Sequence, residues 1–179
     1  MSGIVMRSDR GVVEVSGPEA APFLHGLVTA TVRSLGPGEA SFGALLTPQG
    51  KILFDFFLLA TETGFLVEIA RPLVPDFVKR LGFYRLRAQV TIADRSADLA
   101  VAYALGEAPA PAGVHAFADP RLAGLATHLI GPADRLPAPT ASTHDWHARR
   151  IGLGVPESGL DFPLGDTFPH DADMDDLSG

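Results

Sequence analysis

Three apolar runs separated by two short turn signals occupy residues 41–70, and they restrict the fold more than any other part of the chain. Successive side chains of a strand point to opposite faces. In 51–60, Ile52, Phe54, Phe56, Leu58 and Ala60 therefore form one wholly apolar face, and Lys51, Leu53, Asp55, Phe57 and Leu59 form the other. Thr47-Pro48-Gln49-Gly50 places Pro second and Gly fourth in a β-turn, and Thr61-Glu62-Thr63-Gly64 supplies the next turn. The expectation is an antiparallel meander with strands at 41–46, 51–60 and 65–70.

The flanking residues fit helices and strands around this meander. Residues 11–16 alternate and read as a strand. Ser16 followed by Pro18 is a helix start signal, so a helix is expected over 18–28. Pro72 opens a second helix to about residue 83, with Leu73, Phe77 and Leu81 on one face. Strands are expected at 87–93, 98–105 and 124–130, and a short helix over 142–151. The fold class is α+β: antiparallel sheets with packed helices, the helices on one face. The chain divides into a core at 1–105 and a second α+β segment at 106–179, with 106–113 as a connecting loop and irregular structure after 152.

Composition excludes several functions. The 179 residues carry a net charge of −7, which argues against general nucleic-acid binding, because phosphate affinity rests on clustered Lys and Arg. No apolar run has membrane-spanning length. The N-terminus shows no basic start followed by an apolar stretch, so a cytoplasmic location is the expectation. Zero cysteines exclude thiol catalysis and cysteine ligation of an iron–sulfur cluster by these residues. His144 and His147 lie one helical turn apart without a further ligand set, and Asp171, Asp173, Asp175 and Asp176 lack the turn Gly and bidentate Glu of a calcium loop. No metal is assigned.

The meander brings two acids together. With a symmetric 61–64 turn, residue 60 faces 65 and residue 57 faces 68. Glu68 then shares a face with Asp55, diagonally placed. Phe57 and Leu53 partly desolvate the pair, and desolvation and like charge both raise a carboxyl pKa. Such a pair suits an amine or the amino-pyrimidine edge of a pterin. Lys51 pairing with either acid on an exposed strand face is the plainer alternative.

Four segments carry a family resemblance. Phe23-Leu24-His25-Gly26-Leu27-Val28-Thr29, Gly43-Ala44-Leu45-Leu46-Thr47-Pro48-Gln49-Gly50-Lys51, Tyr84-Arg85-Leu86-Arg87 with Val90 and Ile92, and Arg150 to Asp161 resemble, in order, motifs of the YgfZ family. This family comprises folate-binding relatives of the glycine-cleavage T-protein. In it a Lys-Gly-Cys-Tyr-x-Gly-Gln-Glu segment follows within a few residues. The chain is therefore expected to be an N-terminal portion lacking that segment and the C-terminal β-barrel.

The resemblance implies a T-protein-like fold, tetrahydrofolate or a related folate as ligand, and support of iron–sulfur cluster assembly or repair, with iron–sulfur proteins or assembly factors as partners. By the same resemblance Asp55 is the carboxylate nearest the reactive folate nitrogens. Arg71, Arg85 and Arg87 are candidates for the folate carboxylates, Tyr84 for stacking on the pterin, and Lys51 and Glu68 for the rest of the pocket. Two departures stand out. Phe54 replaces the first acid of a paired motif, and Gly152 replaces the pterin-holding Glu of the T-protein branch. The latter counts against a folate-dependent aminomethyltransferase, the second reading. A scaffold with a decayed pocket is the third.

Overall fold

Two antiparallel sheets stack face to face, and helices cover the outer side of one of them. The computed structural model describes residues 3–106 and 108–179. The larger sheet has the strand order β3 (Ala40–Leu46), β4 (Ile52–Thr61), β5 (Gly64–Ala70), β2 (Arg10–Ser16), β6 (Thr91–Asp94). The smaller has the order β1 (Ile4–Met6), β7 (Ala100–Ala104), β9 (Thr127–Gly131), β8 (His115–Ala118). The smaller sheet thus joins strands from both segments of the expected 1–105 and 106–179 division.

The five-stranded sheet is a middle layer. Its inner face packs Val12, Phe42, Phe57 and Leu66 against Val101, Tyr103, Phe117 and Ile130 of the smaller sheet. Its outer face packs Val13, Phe54, Phe56 and Val67 against the helices α1 (Ala20–His25) and α2 (Val74–Arg85). Phe77 and Leu81, one turn apart on α2, are fully buried, and the Phe77 ring lies 5.3 Å from Phe54 and 5.4 Å from Phe56. Burial on both faces explains why β4 is almost continuously apolar. A third helix, α3 (Thr143–Gly152), starts with a capping box between Ser142 and Asp145 and delivers Trp146 into the core between the sheets.

The meander forms in the expected register, with Ala60 opposite Phe65 and Phe57 opposite Glu68. One irregularity corrects the face assignment. The β3–β4 register shifts between Leu45 and Leu46, so that Leu45 pairs with Phe54 but Leu46 with Ile52. Leu53 is the extra residue of a bulge. Ile52 consequently turns to the inner core and Leu53 to the helix side, the reverse of strict alternation. Residues 165–167 then pair along the edge at Ile52, whose carbonyl accepts from Gly165 N (2.7 Å) and whose amide donates to Thr167 O (2.9 Å).

Other boundaries move for local reasons. The first helix ends at His25 instead of 28, because Thr29 is drawn to β3: its amide donates to Ala44 O at 2.8 Å, and its hydroxyl accepts from Ala44 N at 2.8 Å. β6 begins at Thr91, not 87, because α2 continues to Arg85 and a turn closes from Ala88 N to Arg85 O. β1 and β8 were not expected at all. At three and four residues they are too short for a period of two to show.

Close contact between the 28–32 loop and β3 depends on Gly43. A Cβ there would lie 2.5–2.6 Å from the backbone N, Cα and the Cβ of Ala30, distances that force the backbone apart. Gly43→Ala is expected to cost about 2–4 kcal/mol of stability. A urea unfolding midpoint equal to wild type would contradict this packing account.

Candidate functional site

Between the sheets lies a chain of buried charges. From the middle sheet, Glu68 projects inward from β5 and Arg10 from the start of β2. From the smaller sheet come His128 on β9 and Tyr103 on β7. Asp119 and Arg121 follow β8. Arg10 Nε donates to Glu68 Oε1 at 3.1 Å, and its Nη2 donates to the Glu68 carbonyl at 3.2 Å. The Tyr103 hydroxyl also donates to Glu68 Oε1. His128 bridges the two acids, with Nδ1 2.7 Å from Glu68 Oε2 and Nε2 2.9 Å from Asp119 Oδ2. Arg121 holds Asp119 bidentately at 3.1 and 2.8 Å. Glu68 and His128 are 0% exposed.

The geometry fixes the protonation of His128. Both ring nitrogens face carboxylate oxygens, so both must be N–H donors and the ring is an imidazolium. Burial pushes its pKa down, but the Glu68 charge and the hydrogen bonds to Asp119 and Glu68 outweigh burial and raise it above 6.5. Burial pushes the Glu68 carboxyl up; the His128 charge and hydrogen bond and then Arg10 bring it down to about 2. Asp119 is likewise held well below the ordinary carboxylate range, by Arg121 and His128 against burial. Rings enclose the site: His128 lies 4.0 Å from Tyr103, 4.5 Å from Phe57 and 4.8 Å from Phe117.

A second cluster adjoins this one through Tyr103. Arg7, 1% exposed, has its guanidinium 4.6 Å from the Tyr103 ring and 5.2 Å from the Trp146 ring. It donates to Asp9 (2.9 and 2.7 Å) and to Glu157 (2.6 Å). Trp146 Nε1 donates to the other Glu157 oxygen at 3.0 Å. Arg150 reaches Asp161 at 2.5 Å. These bonds tie residues 155–162 down across the sheets, and the Ser158 hydroxyl donates to Asp55 Oδ1 at 2.5 Å.

The site residues expected from sequence are not gathered in one pocket. Asp55 and Glu68 do share the inner face, in the diagonal relation anticipated. Glu68, however, is enclosed: both carboxylate oxygens and its carbonyl are engaged by protein donors. The raised carboxyl expected there is corrected to a lowered one, since cations and not a second acid are its nearest partners. Leu53 does not flank the acids, because the bulge turns it away. Lys51 pairs with neither acid; its Nζ lies 3.2 Å from Asp166 on a largely exposed segment. Arg71 is exposed, and its nearest bond is to Ser96 O at 3.4 Å. Tyr84 and Arg85 end α2, and Arg87 follows it, all three exposed. They lie on the helix-covered side, so the middle sheet separates them from Asp55.

This placement tests the fit to a folate. A pterin needs an accessible slot with a free acceptor. Of the seven residues, Asp55 alone keeps a carboxylate oxygen without a hydrogen-bond donor among the described residues, and Asp55 is itself buried, 9% exposed. The set as a whole does not fit one folate. Surface clefts open elsewhere: one of about 740 Å³ beside Gly17, Ala21, Ala60 and Phe65, another of about 330 Å³ beside Phe54, Arg80 and Phe83. Neither is lined by Asp55 or Glu68. Among the described residues, no group of three or more His, Cys, Asp or Glu side chains is arranged to hold a metal.

Sequence reasoning missed Arg10, Tyr103, Asp119, Arg121, His128, Arg7 and Glu157. The available signal was weak: a His in the middle of the apolar run 125–130, and an acid two residues before an arginine.

Comparison with known proteins is consistent with this architecture. No protein-family model matches the chain. Over 95% of its length it is 30% identical to the mitochondrial iron-sulfur cluster assembly factor IBA57 homolog of Mycosarcoma maydis and 28% identical to the mitochondrial IBA57 of Homo sapiens. It spans 47% and 55% of those proteins, about half the length of the relatives it matches. Its fold matches the glycine cleavage system aminomethyltransferase T of Bartonella henselae, with a TM-score of 0.72 at 15% identity over 94% of this chain and 55% of that one. The α+β, T-protein-like fold expected from sequence is thus shown, and the relatives are more specific than the YgfZ resemblance. The cytoplasmic expectation is corrected, since these relatives are named as mitochondrial; an N-terminus without a recognisable signal carried no information on location.

The buried bridge makes stability depend on pH. Glu68 and Asp119 have lowered pKa values, so their contribution is present above their unfolded values of 4.5 and 3.8 and is lost as pH falls toward the folded ones. His128 has a raised pKa, so its contribution is full below 6.5 and is lost as pH rises through the folded value. Maximal stability is expected between about pH 5 and 6.5, with a decline on the alkaline side. His128→Gln, which leaves two buried carboxylates without their cation, is expected to cost about 3–5 kcal/mol and to flatten that decline. Urea unfolding across this pH range measures both; an unchanged alkaline slope in the variant would refute the bridge.

Proposed function

We propose that this chain supports iron–sulfur cluster assembly as a rigid positioning module, built on the aminomethyltransferase fold. The observation that carries the reading is similarity along 95% of the chain to proteins named as iron–sulfur cluster assembly factors. The residues themselves supply no thiolate, since the sequence has no cysteine. Cysteine ligation of a cluster is therefore not their part of the work. Their contribution is shape and charge: the His128 bridge locks the sheets together, and the Arg7–Glu157 cluster holds residues 155–162 across them.

Within this reading, a reduced folate would meet the chain at Asp55. The carboxylate oxygen of Asp55 that Ser158 leaves free would accept from the amino edge of a pterin, with the Ser158 bond to Oδ1 kept. When bound, a folate would supply one-carbon or redox chemistry; the other expected contacts are not assembled around Asp55. Gly152, in place of an acid, weighs against aminomethyl transfer.

Two measurements test these statements separately. In cells of the source organism lacking this protein, iron–sulfur enzyme activities are expected to fall and to return with the wild-type gene; unaltered activities would end the assembly reading. Calorimetric titration of tetrahydrofolate into the full chain is expected to show binding that Asp55→Asn weakens about tenfold or more, the loss of one charge-assisted hydrogen bond. Equal affinity in the variant would remove Asp55 from the site.

A further inference from the structure

Four cations along α2 and the turn after it have no ion-pair partner among the described residues. Lys79, Arg80, Arg85 and Arg87 fall within a short stretch of sequence, and none forms an ion pair among the described residues. Arg7, Arg10, Lys51, Arg95, Arg121 and Arg150 are paired; Arg33, Arg71, Arg135 and Arg149 form no ion pair among the described residues either, but they are scattered along the chain. Interleaved with the free cations are exposed apolar side chains: Phe83 is 66% exposed, Tyr84 45% and Leu86 87%. Lys79, Arg80 and Phe83 line one cleft with Leu53, Phe54 and a single acid, Asp76.

Ordinary helix chemistry accounts for part of this. Arg85 in the last turn suits the helix dipole. It does not account for Leu86, which has a positive φ of 44°, a strained conformation for a branched residue, and whose side chain stands in solvent. Strain, exposed apolar area and unpaired charge thus follow one another along residues 83–87, next to the cleft that Lys79, Arg80 and Phe83 line.

We propose that this end of α2 is a docking surface for an acidic protein segment carrying an apolar anchor. Carboxylates of the partner would pair with Lys79, Arg80, Arg85 and Arg87, and its apolar residue would enter beside Phe83 and Leu86. A nucleic acid fits less well: bases stack on Phe83 and Tyr84 but leave Leu86 unused. Arg85 and Arg87, which the sequence suggested for the carboxylates of a folate, are thereby assigned to a partner. This inference does not rest on the iron–sulfur reading, and the two fail by different measurements.

Fluorescence anisotropy of the full chain with a short fluorescein-labelled peptide of aspartates and glutamates around a central Leu-Phe pair tests it. Saturable binding is expected, weakened about tenfold or more by the double variant Arg85→Glu/Arg87→Glu and by added salt. Leu86→Gly relieves the backbone strain, so its melting temperature should not fall, yet its peptide affinity should drop about threefold or more. A control peptide with Gly-Gly at its centre should bind about tenfold more weakly. The proposal is overturned by no saturable binding up to millimolar peptide, by equal affinity of the Gly-Gly peptide or of the Leu86→Gly chain, or by tighter binding of a single-stranded oligonucleotide. Self-association of the wild type that the double variant abolishes would also overturn it, by making a second copy the occupant.

Discussion

A protonated histidine between two carboxylates organises this molecule. The sheets meet through apolar side chains, but apolar contacts permit sliding and the charged groups do not. Glu68 and Arg10 belong to the middle sheet; His128 and Tyr103 belong to the smaller one. Each of these bonds has a direction and a length, so the set as a whole is satisfied in one relative placement of the two layers. Burying these charges is costly, and removing a single member leaves the others uncompensated. The arrangement therefore specifies how the layers dock more than it adds net stability.

The middle sheet sets what can reach what. Both of its faces are covered, so its strands act as a wall about one side chain thick on either side. Asp55 and Phe54 are neighbours in sequence, yet one looks toward the smaller sheet and the other toward α2. Residues grouped by a motif can thus serve different surfaces. Tyr84, Arg85 and Arg87 are separated from Asp55 by this wall, and no side-chain rotation brings them round.

Much of the meander was legible because its information is local. Two turns of defined length, with Gly50 at a φ of 85°, and a period-two pattern are enough to pair Phe57 with Glu68. The same reasoning failed at Ile52 and Leu53, where one additional residue inverts the pattern without leaving a mark in residue type. The charged network was not legible. Glu68 is 58 residues from Arg10 and 60 from His128, and no local rule connects them. Sequence parity placed Glu68 on the correct face but could not reveal that a histidine from another sheet already occupies it. The single free oxygen on Asp55 likewise follows from the path of residues 155–162, which carry little periodic signal.

The Ser158 hydroxyl on Asp55 has a further consequence. It holds one oxygen of the carboxylate from a segment 103 residues away in the chain. A molecule that engages the other Asp55 oxygen leaves the Ser158 bond in place, and the strap of residues 155–162 keeps its further fastenings at Glu157 and Asp161. The strap therefore fixes the orientation of the Asp55 carboxylate, and with it the direction in which the remaining oxygen points.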